Sequence, residues 1–146
     1  MKLLVVKSDT EKSFDEHYRK YLSFVSAERA AKAERIRSER DRILSVCAEL
    51  VARSQIITAL GMDNNDISFD YGEHGKPFLH GADRFDFSFS HAGIYVAFAC
   101  SSTPVGVDIE SGGRGSEKIA ARYFTKEEYQ RYIENCLRET YGFKGT

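Results

Sequence analysis

The chain has 146 residues, 42% of them hydrophobic and 29% charged, which is the balance of a soluble globular protein built on one core. A formal net charge of −1 excludes a general nucleic-acid binder. Three widely spaced cysteines, Cys47, Cys100 and Cys136, form no C-x-x-C pair. That argues against a disulfide framework or a zinc site and fits a reducing, cytoplasmic setting.

In chain order, Leu3 to Val6 read as a short buried strand, too short for a signal peptide, and no later run is expected to cross a membrane. Ser13 and Glu16 form a capping-box pattern, followed at helical spacing by Tyr18, Tyr21, Leu22 and Val25. Ser26 caps a short basic helix running to about Arg37. A longer helix then carries Ile43, Leu44, Cys47, Leu50, Val51 and Ile57 on one face and stops at Gly61. Residues 19–53 hold nine Lys or Arg against five acids, an excess that suits a phosphorylated ligand or simply a solvated helix face.

Beyond Gly61 the period changes to two. Ile67, Phe69 and Tyr71 alternate as in a half-buried strand, and Tyr71 to Pro77 is a turn-rich loop. Phe85, Phe87 and Phe89 form another strand, Tyr95 to Cys100 a third and Val105 to Ile109 a fourth, with a hairpin turn at His91-Ala92-Gly93. Ser111 to Gly115 reads as a flexible loop and Ile119 to Tyr123 as a short helix. Thr125 and Glu128 form a second capping box before Tyr129, Tyr132, Ile133, Cys136 and Leu137. Helices, then strands, then a helix predict an α+β fold with helices packed on a largely antiparallel sheet.

Three places carry chemistry. Asp108 and Glu110 share one face of their strand, because strand side chains alternate. Paired carboxylates repel unless a cation or a proton lies between them, and hard oxygens of this kind suit Mg²⁺. The same pattern also suits a solvent-facing strand with Val107 and Ile109 buried. Ser90 and His91, at the end of a strand, can donate to a phosphate oxygen or simply form an exposed turn. Gly75-Lys76-Pro77 presents an ammonium on a stiff loop, or is an ordinary turn.

Taken in order, Gly75-Lys76-Pro77, Phe87-Ser88-Phe89-Ser90-His91-Ala92-Gly93, Pro104 to Glu110, and Ala120 to Glu128 resemble the motifs of the surfactin-synthetase type of phosphopantetheinyl transferase. The basic run Ser26 to Lys32 is similar to that family's basic helix, and the resemblance extends to Tyr141. It implies transfer of the phosphopantetheine arm of coenzyme A to a serine of an acyl or peptidyl carrier protein, with release of 3',5'-adenosine bisphosphate. It also implies that Asp108 and Glu110 hold Mg²⁺ on the pyrophosphate, and that Arg29, Lys32, Lys76, Ser90 and His91 contact the phosphates or the adenosine end. Glu128 matches a glutamate with a base or metal-linked role, although it also sits where a capping box closes a helix. Glu139 matches a third metal carboxylate.

The chain departs from the pattern at Ser88, where the family has Asn, and at Ala92, where it has Ser. It has no Trp for the family's W-x-x-K-E-[SA]-x-x-K motif, where Arg138-Glu139 stand instead of Lys-Glu. Members continue into a second, pseudo-symmetric half, so residues 1–146 are expected to form a single, incomplete domain of this kind. An inactive chain that keeps only coenzyme A or metal binding, or an interaction module, is the alternative. The apolar strands of the middle region exceed what one sheet face needs, which predicts a homo-oligomer.

Overall fold

A computed structural model describes residues 2–7, 14–111 and 119–125. Strand β1 (Lys2–Lys7) is followed by helices α1 (Phe14–Leu22), α2 (Ala27–Glu34) and α3 (Glu39–Leu60). Then come β2 (Phe69–Tyr71), β3 (Pro77–Leu79), β4 (Asp86–Ala92), β5 (Tyr95–Ser101), β6 (Val105–Ser111) and β7 (Ile119–Thr125). All paired strands run antiparallel, and they form three small sheets in the orders β1-β5-β4, β2-β3 and β6-β7. The architecture is α+β, as the order of helices and strands implies.

The helix ends follow their local chemistry. The Ser26 hydroxyl accepts from the Arg29 backbone N–H at 3.1 Å and starts α2. That helix ends at Glu34, short of the expected Arg37. Ser38 caps α3 in the same way, and Gly61 ends it at φ 67°, a left-handed conformation that costs glycine nothing.

Helix α3 is the centre of the molecule, and its buried face differs from the expected stripe. Ile57 is exposed, whereas Val46, Ala48, Ala52 and Ile56 are fully buried. Ser45, Glu49 and Arg53 are buried with them. The helix is covered on more than one side, by α1 and α2 as well as by the sheet, so its buried arc is wider than a single amphipathic face. By length and composition alone α3 could cross a membrane, contrary to the expectation that no run could. Half of that stretch is buried, in the manner of a core helix.

Strand alternation divides the rest of the core. Val96 and Phe98 of β5 face α3, where Val96 meets Leu44 and Ala48. Ala97 and Ala99 face the other way and are covered by Val105, Val107 and Ile109 of β6. Phe87 of β4 sits among Ala52, Ile56, Ile67, Leu79 and Phe98, with the rings of Phe69, Phe89 and Phe98 at 5.4, 6.2 and 6.2 Å.

Three sequence expectations are corrected here, the first being that Leu3 to Val6 form a buried strand: Leu3 and Val5 are exposed on β1, at the edge of its sheet. His91 and Ala92 belong to β4, pairing with Val96 and Tyr95, so the hairpin turn is Gly93-Ile94 with Gly93 at φ 63°. Ile119 to Tyr123 is not a helix but part of β7, paired to β6 from Val105↔Thr125 to Ser111↔Ile119. Ala120 and Ala121 favour a helix, but Ile119, Tyr123, Phe124 and Thr125 suit a strand, and pairing with β6 decides the outcome. The expected loop of Ser111 to Gly115, from residue 112 onward, and the helix after Thr125 lie outside the described residues, as does Ser13.

Candidate functional site

The first wall of the site is helical. Arg29 and Lys32 lie three residues apart on α2, hence on one face. Arg29 is only 8% exposed. Its Nη1 donates to Ser45 Oγ at 3.1 Å, and its guanidinium lies 5.3 Å from the centre of the Phe89 ring. Its Nε stands 3.6 Å from Glu49 Oε1, an ion pair without a hydrogen bond. Glu49, 1% exposed, accepts from Ser26 N–H at 2.6 Å, from the Ser26 hydroxyl at 2.9 Å and from Arg53 Nε at 3.2 Å. Arg53 in turn donates to the carbonyl and side-chain oxygens of Asn64 at 3.2 and 3.0 Å.

The second wall is made by β4 and β6, which lie side by side and are joined through side chains. Asp86 Oδ2 accepts from Val105 N–H at 2.7 Å, and Ser88 Oγ accepts from Val107 N–H at 3.2 Å. Ser88, in place of the family's Asn, therefore forms a strut between β4 and β6. Lys76 is set in the turn before β3, after Gly75 at φ 74°. Its ammonium donates to Asp86 Oδ2 and to the Val105 carbonyl, both at 2.8 Å. The sequence expectation of an ammonium simply presented on a loop is thus refined: Lys76 is tied to the strand wall while its side chain stays 41% exposed.

Between the walls lies a cleft of about 410 Å³. Arg29, Lys32, Lys76, Ser90 and His91 all line it, as do Gly75, Ser88, Phe89 and Val105 to Val107. Every residue singled out for phosphate contact is therefore brought to one place. Burial first, and then the charge of Arg29, hold His91 below its ordinary pKa, with Lys32 adding to the effect and Asp41 opposing it. The neutral imidazole is therefore the favoured form in this setting.

The carboxylates continue from the strand wall. Val107 and Ile109 are buried, which leaves half-buried Asp108 and exposed Glu110 on the opposite face of β6. Ser90 Oγ lies 3.5 Å from Asp108 Oδ1, at the outer limit of a hydrogen bond. Two hard oxygen donors on one strand face fit a divalent cation such as Mg²⁺. Among the described residues no group of three His, Cys, Asp or Glu could hold a metal. Glu128 and Glu139 lie outside the described residues.

Sequence reasoning missed Ser45, Glu49 and Arg53. A signal was present: three polar residues at spacings of four form a stripe along the apolar middle of the helix. Such a stripe inside a core implies a buried polar network.

Comparison with known proteins points to one family. The sequence model of one family, described as 4'-phosphopantetheinyl transferase, N-terminal, matches residues 12–103. The chain is 34% identical over 129 residues to 4'-phosphopantetheinyl transferase Sfp of Bacillus subtilis, covering 88% of this chain and 57% of that protein. It is 36% identical over 132 residues to 4'-phosphopantetheinyl transferase gsp of Aneurinibacillus migulanus, covering 88% and 53%. A more distant relative is the L-aminoadipate-semialdehyde dehydrogenase-phosphopantetheinyl transferase of Saccharomyces cerevisiae, at 31% identity over 104 residues, 64% of this chain and 38% of the relative. The chain thus spans little more than half the length of its bacterial relatives. By the family match over residues 12–103 and by these identities, the chain belongs to the 4'-phosphopantetheinyl transferase family.

Proposed function

We propose that the cleft binds the phosphates of coenzyme A and that the chain serves the transfer of the 4'-phosphopantetheine arm to a serine of an acyl or peptidyl carrier protein. The observation that carries this reading is the convergence of Arg29, Lys32, Lys76, Ser90 and His91, from two helix positions, one turn and one strand end, on a single cationic cleft. A pyrophosphate and a 3'-phosphate need cations and hydrogen-bond donors of this kind. In the reaction the serine Oγ bonds to the phosphorus bearing the pantetheine arm. The bridging P–O bond breaks, 3',5'-adenosine bisphosphate leaves with its electron pair, and the serine proton passes to a base.

Arg29 and Lys32 would neutralise charge that grows on the leaving bisphosphate, and Lys76 would do so from the strand wall. Ser90 and His91 would donate to phosphate oxygens. Asp108 and Glu110 would hold Mg²⁺, which when bound draws charge from the pyrophosphate. The assignments of Glu128 as base or metal-linked group, and of Glu139 as a catalytic and third metal carboxylate, rest on the family motifs. Self-association is proposed as well. Its support is Leu3 and Val5, 47% and 42% exposed on β1, an edge strand of its sheet, and not the middle strands, whose apolar residues from Val96 to Ala99 and Val105, Val107 and Ile109 are buried within the chain.

The test is release of 3',5'-adenosine bisphosphate from coenzyme A in the presence of Mg²⁺ and a carrier protein, alongside calorimetry with coenzyme A. Release supports the full reading. Binding without release limits the chain to coenzyme A recognition, and no binding sinks the assignment. Asp108→Ala and Glu110→Ala are expected to abolish the Mg²⁺ dependence of binding, and an unchanged dependence in either removes that residue from the metal site.

A further inference from the structure

Among the described residues the buried charges under the helical wall do not balance. Arg29 and Arg53 bring two positive charges to one carboxylate, Glu49, and all three are more than nine-tenths buried. Burying an uncompensated charge is costly, so a further anion is favoured nearby. The two arginines are not equivalent. Arg53 is closed off by Glu49 and by both oxygens of Asn64. Among the described residues the Arg29 side chain makes one hydrogen bond, to Ser45, and its buried Nε has no hydrogen-bond partner. Arg29 is also the arginine that lines the cleft.

We infer that Glu49 is a positioning residue for the cleft: it holds the guanidinium of Arg29 against Ser45 and Phe89, pre-set for an anionic group of the ligand. Glu49 also receives the N–H and hydroxyl of Ser26, the residue that caps α2. One carboxylate therefore fixes both the start of the helix that carries Arg29 and the charge at the end of its side chain. Ligand affinity then draws on a pre-ordered arginine rather than on a mobile one, whose ordering would cost entropy on binding. The inference rests on the proposed binding of a phosphorylated ligand in the cleft.

Two measurements test it. The first uses the free protein: heteronuclear NMR of the Arg29 Nε–H group, whose proton is protected when the guanidinium is held. Glu49→Gln, close in shape but uncharged, is expected to abolish that signal. Ser45→Ala, which keeps every charge, is expected to weaken it and guards against a Glu49 variant that does not fold. The second is calorimetry with 3',5'-adenosine bisphosphate. Glu49→Gln is expected to lower affinity about tenfold, the scale of one charge-assisted hydrogen bond. In an Arg29→Ala background it is expected to cost nothing more, because Glu49 acts through Arg29. An unchanged Arg29 signal in Glu49→Gln, or losses that add in the double variant, overturns the inference. If the unaltered chain binds no bisphosphate, the proposed ligand falls and the Arg29 signal alone decides the positioning.

Discussion

The two walls of the cleft hold Arg29 and Lys76 by opposite means. On the helical side, Arg29 is buried and held by a carboxylate that is itself buried, within a network of Ser26, Ser45, Glu49 and Arg53. On the strand side, Lys76 is well exposed and is held by Asp86 and a backbone carbonyl, and Asp86 and Ser88 join β4 to β6. The helical wall is therefore rigid and sensitive to the loss of any charge. The strand wall is made of separate struts, each replaceable at modest cost. One site can thus combine a fixed anchor with an adaptable side.

The largest effect is expected where the two walls share a foundation. Phe87 is fully buried between α3, β2, β3 and β5. Phe87→Ala is expected to destabilise the chain by about 3–5 kcal/mol in urea unfolding, through lost transfer energy and the cavity left behind. A loss under about 1 kcal/mol would mean that the walls do not rest on this core.

The contrast itself is tested by removing one carboxylate from each wall. Glu49→Ala leaves two buried guanidiniums without their counter-charge, and a loss of about 3–5 kcal/mol is expected. Asp86→Ala exposes the Lys76 ammonium to water at little cost but strips the acceptor from the buried Val105 N–H, for about 2 kcal/mol. Equal losses in the two variants would erase the distinction between the walls. Ser88→Ala, which removes only the acceptor of the Val107 N–H, is expected to cost about 1 kcal/mol. If its loss matched that of Asp86→Ala, the strand wall would be one cooperative unit rather than a set of separate struts.

The sequence made some of this construction legible, and the reason is locality. Ser26 as a cap and Gly61 as a stop act within one helical turn, so spacing alone reveals them. The clustering of Arg29, Lys32, Lys76, Ser90 and His91 could be expected only through family resemblance, because nothing in their separate spacings brings them together. Two things were hidden. Strand β7 owes its conformation to β6, and its alanines point locally toward a helix. Glu49 has no visible task until α2 delivers Ser26 and Arg29 to it across 23 and 20 positions of sequence. Its (i, i+4) spacing to Ser45 and Arg53 marks a polar stripe on α3, but that spacing alone does not tell a buried network from a surface pair.

The smallest effect concerns the group between the walls. His91 follows the β4 residues that face β6, yet its own side lies with Phe89 and Val96 toward the helices. Its pKa is lowered by burial and by Arg29, so the folded protein favours the neutral ring more than the unfolded chain does. The unfolded state then binds more protons as pH falls below 6.5. The stabilisation is complete above that pH and is lost as pH falls through the folded pKa. A bound phosphate reverses the balance, because its negative charge favours the imidazolium. Ligand binding should then take up a proton, and affinity should rise as pH falls from 8 toward 6, an interval set by the ordinary histidine pKa. NMR titration of the His91 ring checks each step. Arg29→Ala should move the free-protein midpoint upward, and 3',5'-adenosine bisphosphate should move it upward in the unaltered chain. A midpoint indifferent to the ligand would take His91 out of phosphate contact and leave the helical anchor and Lys76 to hold the ligand between them.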